Sequence, residues 1–427
     1  MFTVSSCNCY ALRPYISCGS FDMSLQSTQT HAKPSLGIFE FVCLMALMTS
    51  LVALSIDAML PAMNQIGEAL GSKSQQQVHL IVTIFFIGMA VGQLFYGPYA
   101  DARGRRATIL SGLIVFAIGT LVCMFATNME VMLAGRLIQA FGVSGPRIAA
   151  MAVIRDQFVG ESMARVMSFI MVVFILVPMI APLVGHMVLI WFSWRHIFTL
   201  FLVVALLAGI WFFARQPETL LKADRVPFTW AALFRSSKFI LTHREVMGYS
   251  IAMGCIFGAF LAYLSASQTI FQTIYDTKEN FPLIFALLAA AIGLASFFNG
   301  ALVMRLGMAK LCNAALIGSV SFSLVLFFVV QNYAGVPPIE LLIALLFVGF
   351  FFIGILFGNL NAMAMQPLGD MAGLGAAVIG SISSLLSVPV ALTIDHFLTT
   401  DLYPIAFGFL IFTVIATIAT RWGSTSA

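Results

Sequence analysis

The chain has 427 residues, of which 61% are hydrophobic and only 9% charged, and its mean hydropathy is +1.01. Soluble globular domains carry roughly 25% charged residues, so this composition excludes a water-soluble enzyme or binding domain and places the chain in a lipid bilayer. The formal net charge of +4 follows from basic loops and gives no argument for a nucleic-acid partner.

Residues 1–37 read as a polar tail. They hold no basic region leading into a cleavable apolar segment, so no signal peptide is expected. Met23 is a candidate start, which would leave 1–22 outside the native protein; the intact mass of the native protein tests this. Cys7, Cys9 and Cys18 are too irregular for a zinc pattern, and Cys43, Cys123, Cys255 and Cys312 fall in or beside apolar runs as small core residues.

Apolar windows of about twenty residues then recur about twelve times, near 38–60, 78–98, 107–127, 131–153, 166–190, 197–214, 246–267, 282–304, 309–330, 339–362, 374–394 and 403–421. They lack the alternation of a barrel strand, so the spans are predicted to be helices. The polar stretch 215–245, with Pro227 and several basic residues, divides them six and six. The expected fold is an all-α membrane protein of twelve transmembrane helices in two six-helix bundles, 38–214 and 246–427, joined by a cytoplasmic linker. With both termini inside, roughly sixteen Lys and Arg fall in the cytoplasm and only Lys73, Arg195 and Lys278 outside, which fixes the orientation.

Between the second and third runs lies Gly97–Arg106, GPYADARGRR. It reads as a short loop joining an antiparallel helix pair: Gly97 and Gly104 allow the tight backbone, Asp101 can sit near a helix N-terminus, and Arg103, Arg105 and Arg106 supply positive charge. Taken alone, the arginines also fit an ordinary basic turn. Gly97, Asp101, Gly104, Arg105 and Arg106 match G-x3-D-x2-G-[RK]-[RK], and at this position the chain resembles the major facilitator superfamily of transporters. The spacing recurs as Gly300 and Gly307 after the eighth run, with Met304 in place of the acid, so two related halves with unequal loops are expected.

Asp57 lies in LSIDAMLPAM towards the outer end of the first run. A carboxylate at helix centre costs about 2.5–3.5 kcal/mol on insertion scales, so it needs a partner or a water-filled cavity, and it is a candidate for carrying a proton between the two sides. The alternative is an interfacial Asp capping the turn before Pro61. Arg136 and Arg147, eleven residues apart, fall within about 20° of one helix face, which should line a cavity. Arg136, Gln139 and Gly142 are similar to the family's R-x2-Q-G-x-G stretch, and that resemblance assigns Arg136 to proton coupling; a packing arginine is the other reading. Pro146 before Arg147 breaks a helix hydrogen bond, towards the cavity or as a plain kink.

Pro178 and Pro182 should bend the fifth helix, and Gly185 lets a neighbour approach closely. The stretch resembles the family's antiporter motif, with Ala181 and His186 where glycines are usual. Asn359 and Asn361 in the tenth run need partners in another helix or a ligand, and Tyr263, Gln268 and Asn299 are candidates for a cavity wall. SIDAMLPAM, VIRDQ at 153–157, Pro178–Gly185, PETL at 217–220 and GNLNAMAMQPLGDMAG at 358–373 together resemble the Bcr/CflA-type drug:proton antiporter branch, the last stretch departing from it at Gln366 and Asp370.

No Ser, His and acid grouping, Walker loop, nucleotide fingerprint or haem-ligand pair is found, so the chain is read as a transporter rather than an enzyme, with no cofactor and the proton gradient as its energy source. The 40 Phe and 23 Met offer an apolar wall suited to varied lipophilic ligands. The resemblance implies a proton-coupled antiporter in the bacterial inner membrane that exports small, mostly lipophilic compounds, and since nothing in the sequence demands an oligomer, a monomer is expected. The alternatives are uptake of a small metabolite by proton symport, and a transporter-like membrane sensor or channel.

Overall fold

The computed structural model describes residues 36–158, 160–226, 229, 237–238, 240–277, 279–398 and 400–424. The candidate start Met23 and the tail cysteines lie outside the described residues. The long helices are α1 (Ile38–Asp57), α2 (Gln75–Arg103), α3 (Arg105–Met124), α4 (Met129–Gln157), α5 (Gly160–Trp191), α6 (Arg195–Arg215), α7 (Arg244–Gln268), α8 (Phe281–Leu306), α9 (Met308–Asn332), α10 (Ile339–Met365), α11 (Ala372–Phe397) and α12 (Tyr403–Ser424). Among the described residues, eleven helical segments are long and apolar enough to cross a membrane, and in α5 the described apolar stretch is 176–191. The first span runs Ile38–Ala69, through α1, the 3-10 turn Leu60–Ala62 and a short helix Met63–Ala69.

The helices begin and end where local chemistry requires it. Ser74 and Asn128 turn their side-chain oxygens onto the backbone N–H groups of Gln77 and Val131, capping α2 and α4. Gly104 and Gly307, at φ 101° and 79°, each form a one-residue break between two long helices. Within the spans, hydroxyls are satisfied by the preceding turn, as when Thr120 and Ser250 each donate 2.7 Å to the carbonyl four residues back.

α4 packs against α2, α3 and α1, with α6 on α3 and α5 on α1; α7 packs against α10, α11 and α12, with α9 on α10 and α12, and α8 on α10. These two sets meet where α2 lies on α11 and α5 on α8. Small residues set the spacing: a Cβ on Gly112 of α3 would meet the Gly142 carbonyl of α4 at 2.7 Å, and one on Gly119 would meet the Gln139 Cα at 2.6 Å. The perimeter is apolar, with Ile118, Leu207, Phe297, Ile317 and Ile418 exposed, the surface a chain in lipid requires.

Candidate functional site

Three stretches read separately in the sequence meet at one end of the molecule. α2 continues to Arg103, so residues 97–103 are helix and Gly104 alone makes the turn. This corrects the expected loop: Tyr99–Arg103 contains nothing that must leave the helix, and Asp101 sits in the last turn of α2 instead of near a helix N-terminus. From there it accepts a 2.7 Å bond from Nη1 of Arg105. The same guanidinium reaches across to Asp156 of α4, with Nε to Oδ2 at 2.9 Å and Nη2 to Oδ1 at 3.2 Å. Thr219 also donates to Asp156, at 2.7 Å, and Glu218 accepts the backbone N–H groups of Arg105 and Arg106 at 2.9 and 3.1 Å. Glu218 thereby caps α3 with a carboxylate, the charge its N-terminus favours. Gly104 fits because a Cβ there would lie 2.5 Å from Glu218 Oε2. Arg106 turns away to the Phe213 carbonyl and ring. Gly97 lies along the α2–α11 seam, where a Cβ would meet that of Ala377 at 3.1 Å.

At the other end, Asp57 closes α1 and is 5% exposed. It has no hydrogen-bond or ion-pair partner among the described residues. Beside it, Gly185 of α5 lies against the Ala58 carbonyl so closely that no Cβ would fit. Pro178 and Pro182 lie inside α5, with Pro182 buried.

The two arginines of α4 divide. Arg147 is half-buried, with Nη1 3.3 Å from the Met89 sulfur of α2. Arg136 is fully buried, so the two arginines differ in exposure although they share a helix face. Its Nε donates to the Ile81 carbonyl at 3.1 Å, and Nη1 to the Ser55 carbonyl at 3.1 Å and Gln139 Oε1 at 2.6 Å, while the guanidinium lies 4.3 Å from the Phe85 ring centre. Carbonyls and a ring face are what an apolar interior offers a cation without a carboxylate, and through them Arg136 ties α4 to α1 and α2. It reaches the carbonyl two residues before Asp57 without pairing with the carboxylate.

In the second half of the chain, Asn359 donates 2.6 Å to Asn299, joining α10 to α8, and Asn361 is exposed. Gln268 is buried and donates to Gln272 at 2.8 Å. Tyr263 is also buried and its hydroxyl has no partner among the described residues; it belongs to a small apolar pocket with Ile270, Leu326 and Leu346 inside the second helix set. Between the sets stands a group of rings, with Phe86 of α2 5.1 Å from Phe257 of α7, and Phe257 in turn 5.6 Å from Phe357 of α10.

The profile of the Major Facilitator Superfamily matches residues 45–391. The chain belongs to the major facilitator superfamily. Its relatives include the bicyclomycin resistance protein homolog of Haemophilus influenzae, 31% identical over 356 residues that cover 81% of this chain and 86% of that protein. Another is the multidrug resistance protein MdtL of Salmonella paratyphi A, 26% identical over 330 residues, covering 76% of this chain and 80% of that one. They bear out the resemblance to the Bcr/CflA-type branch. Among solved structures, a D-xylose–proton symporter superposes with a TM-score of 0.73 at 14% identity, covering 91% of this chain and 97% of that one. The human organic anion transporter MFSD10 gives 0.64 at 17% identity, covering 91% of this chain and all of that one. At such identities they establish a shared fold.

As a major facilitator protein the chain is a multi-pass membrane transporter of small molecules. One pair in it escapes sequence reasoning. Asp395 is buried in the last turn of α11 against His79 of α2. His79 opens an apolar run and Asp395 ends one, and this was the available signal: a titratable residue inside the helix rather than beyond it.

Proposed function

We propose that this transporter is a proton-coupled antiporter that moves small, mostly lipophilic compounds out of the bacterial cytoplasm across the inner membrane by alternating access. In this reading twelve helices span the membrane in bundles 38–214 and 246–427, linked by 215–245, and both termini are cytoplasmic, as the Lys and Arg distribution supports. The protein works as a monomer and draws on the proton gradient without a cofactor. The names of its relatives, bicyclomycin and multidrug resistance, favour export of varied compounds.

Asp57 carries the reading. A buried carboxylate with no cationic partner needs a proton or a cationic substrate to neutralise it. If the two compete for it, one enters as the other leaves, and each proton moving inward down 100 mV supplies about 2.3 kcal/mol. Arg136 holds the α1 backbone two residues away and so positions the site. The half-buried Phe257, Phe260 and Phe357, with Asn299, Asn359 and Arg147, supply an apolar wall with few polar anchors, which suits ligands of varied shape. Gly97, Asp101, Gly104, Arg105 and Arg106 serve as the cytoplasmic gate, held with Asp156 and Glu218 in one of the two states. Pro178, Pro182 and Gly185 shape α5 beside Asp57.

The test is transport in proteoliposomes with an imposed pH gradient, following a lipophilic cationic dye and internal pH together, for wild type and Asp57→Asn. The expected result is dye movement against its gradient with opposite proton flux, reduced at least about 100-fold in the variant, as for loss of a proton-transfer group. Dye and proton moving the same way would make it a symporter. Binding without coupled flux, unchanged in Asp57→Asn, would make it a sensor or channel.

A further inference from the structure

His79, in the second turn of α2, holds Asp395 of α11 through Nδ1, and both side chains are 5% exposed. The other ring nitrogen, Nε2, lies 2.9 Å from Thr269 Oγ1. Thr269 begins the π-helical turn Thr269–Ile274 that follows α7. One turn before His79, Gln76 Nε2 donates 3.1 Å to the Leu398 carbonyl just past α11. Three helices from two helix sets are thus joined by polar groups at the end where Asp57 lies, the outer end in the orientation proposed above.

Removing an imidazole and a carboxylate from water is costly, and apolar side chains of the same size would hold the helices together as well. The polar joint differs when it parts. Separated apolar faces would remain exposed to water at a cost, whereas a separated His79 and Asp395 are rehydrated. Such a contact can be strong when made and inexpensive when broken, which is the requirement for a contact that alternates. The backbone is arranged to match: α7 gives up its α-helical ladder at the residue that meets the ring, and π turns of this kind concentrate at functional positions. Further along the same seam, Ser381 of α11 donates 2.8 Å to the Ala90 carbonyl of α2, so the two helices also stay in contact nearer the membrane centre.

We propose that His79, Asp395 and Thr269 form a latch that closes the outer end of the transport pathway, and that opening to the outside requires its rupture. The inference rests on the alternating-access reading above. It assigns these residues to conformational control, separate from Asp57 and from the network around Arg105.

Spin-label distance measurements on the full chain in lipid nanodiscs test it, with native cysteines replaced and one label pair at each end: Lys73 with Thr400 outside, Lys222 with Lys310 inside. His79→Leu and Asp395→Leu should each raise the ratio of outward-open to outward-closed protein about tenfold or more, the order expected for a hydrogen bond to a charged group. The outer distances lengthen and the inner ones shorten. Outer distances that match wild type in both variants, while tetraphenylphosphonium still shifts the inner pair, overturn the latch and leave alternating access standing. If neither pair responds to any variant or to tetraphenylphosphonium, alternating access itself fails. Should the leucine variants not fold, Asp395→His retains His79 and builds a two-histidine zinc site: micromolar Zn2+ should stop dye transport and a chelator should restore it. Transport that continues with zinc bound across the two positions overturns the latch.

Discussion

Gly104 and Gly307 each end one long helix and begin the next, at φ 101° and 79°. Side chains rarely adopt such angles, so alanine at either position should cost about 1–3 kcal/mol in backbone strain. Their surroundings differ. A Cβ at Gly307 meets nothing within 4 Å, while one at Gly104 is 2.5 Å from the Glu218 carboxylate and 3.0 Å from Arg225 Nη2. Gly104→Ala should therefore lower the thermal midpoint further than Gly307→Ala, and Glu218→Ala should recover part of that difference; equal midpoints for the two glycine variants would show that the cap of α3 adds nothing. The glycine spacing was legible in the sequence because a positive φ leaves a residue-type signature. Asp57 was legible because an acid inside an apolar run stands out. The pairing of His79 with Asp395 was not, since its partners are 316 positions apart and periodicity within one helix carries no information about distant partners.

At the scale of elements, the apolar windows found the helices and underestimated them. The window 78–98 became α2 at Gln75–Arg103, because hydropathy detects the part of a helix in lipid while the helix continues into its polar ends. The sequence also showed that Gly185 admits a close neighbour without revealing which one. In the structure it is the Ala58 carbonyl, next to Asp57, so α5 sets the position of the end of α1. Gly185→Val should force these helices apart and sharply lower the yield of monodisperse protein. Gly300→Ala is the control: a Cβ there meets nothing within 4 Å, and alanine in a helix interior is favoured over glycine by about 1 kcal/mol. A Gly185→Val protein as stable and as active as Gly300→Ala would mean that α1 and α5 do not pack this closely.

For the whole molecule, the distribution of basic residues and the connections between helices give independent views of sidedness. Arg105, Arg106, Arg215, Arg244, Arg305, Lys310 and Arg421 all stand at helix ends, and the proposed twelve crossings would bring the ends of the chain to the face they share. Asp57, His79 and Asp395 lie at helix ends on the opposite face. This opposition gives the proposed mechanism its direction, because in that mechanism a proton from outside would reach Asp57 only when the outer end opens. A fluorescent protein fused after Ala427 should therefore fold and fluoresce in the cytoplasm, and alkaline phosphatase at the same site should stay inactive. Alkaline phosphatase inserted at Lys73, the exposed turn between the first two spans, should be active. The opposite pattern would put Asp57 at the cytoplasmic end and the Arg105 network outside, reversing the gates while leaving the fold as described. Phosphatase active at both sites, or inactive at both, would require an odd number of crossings, and α5, whose described apolar stretch is 176–191, would be the helix that does not span.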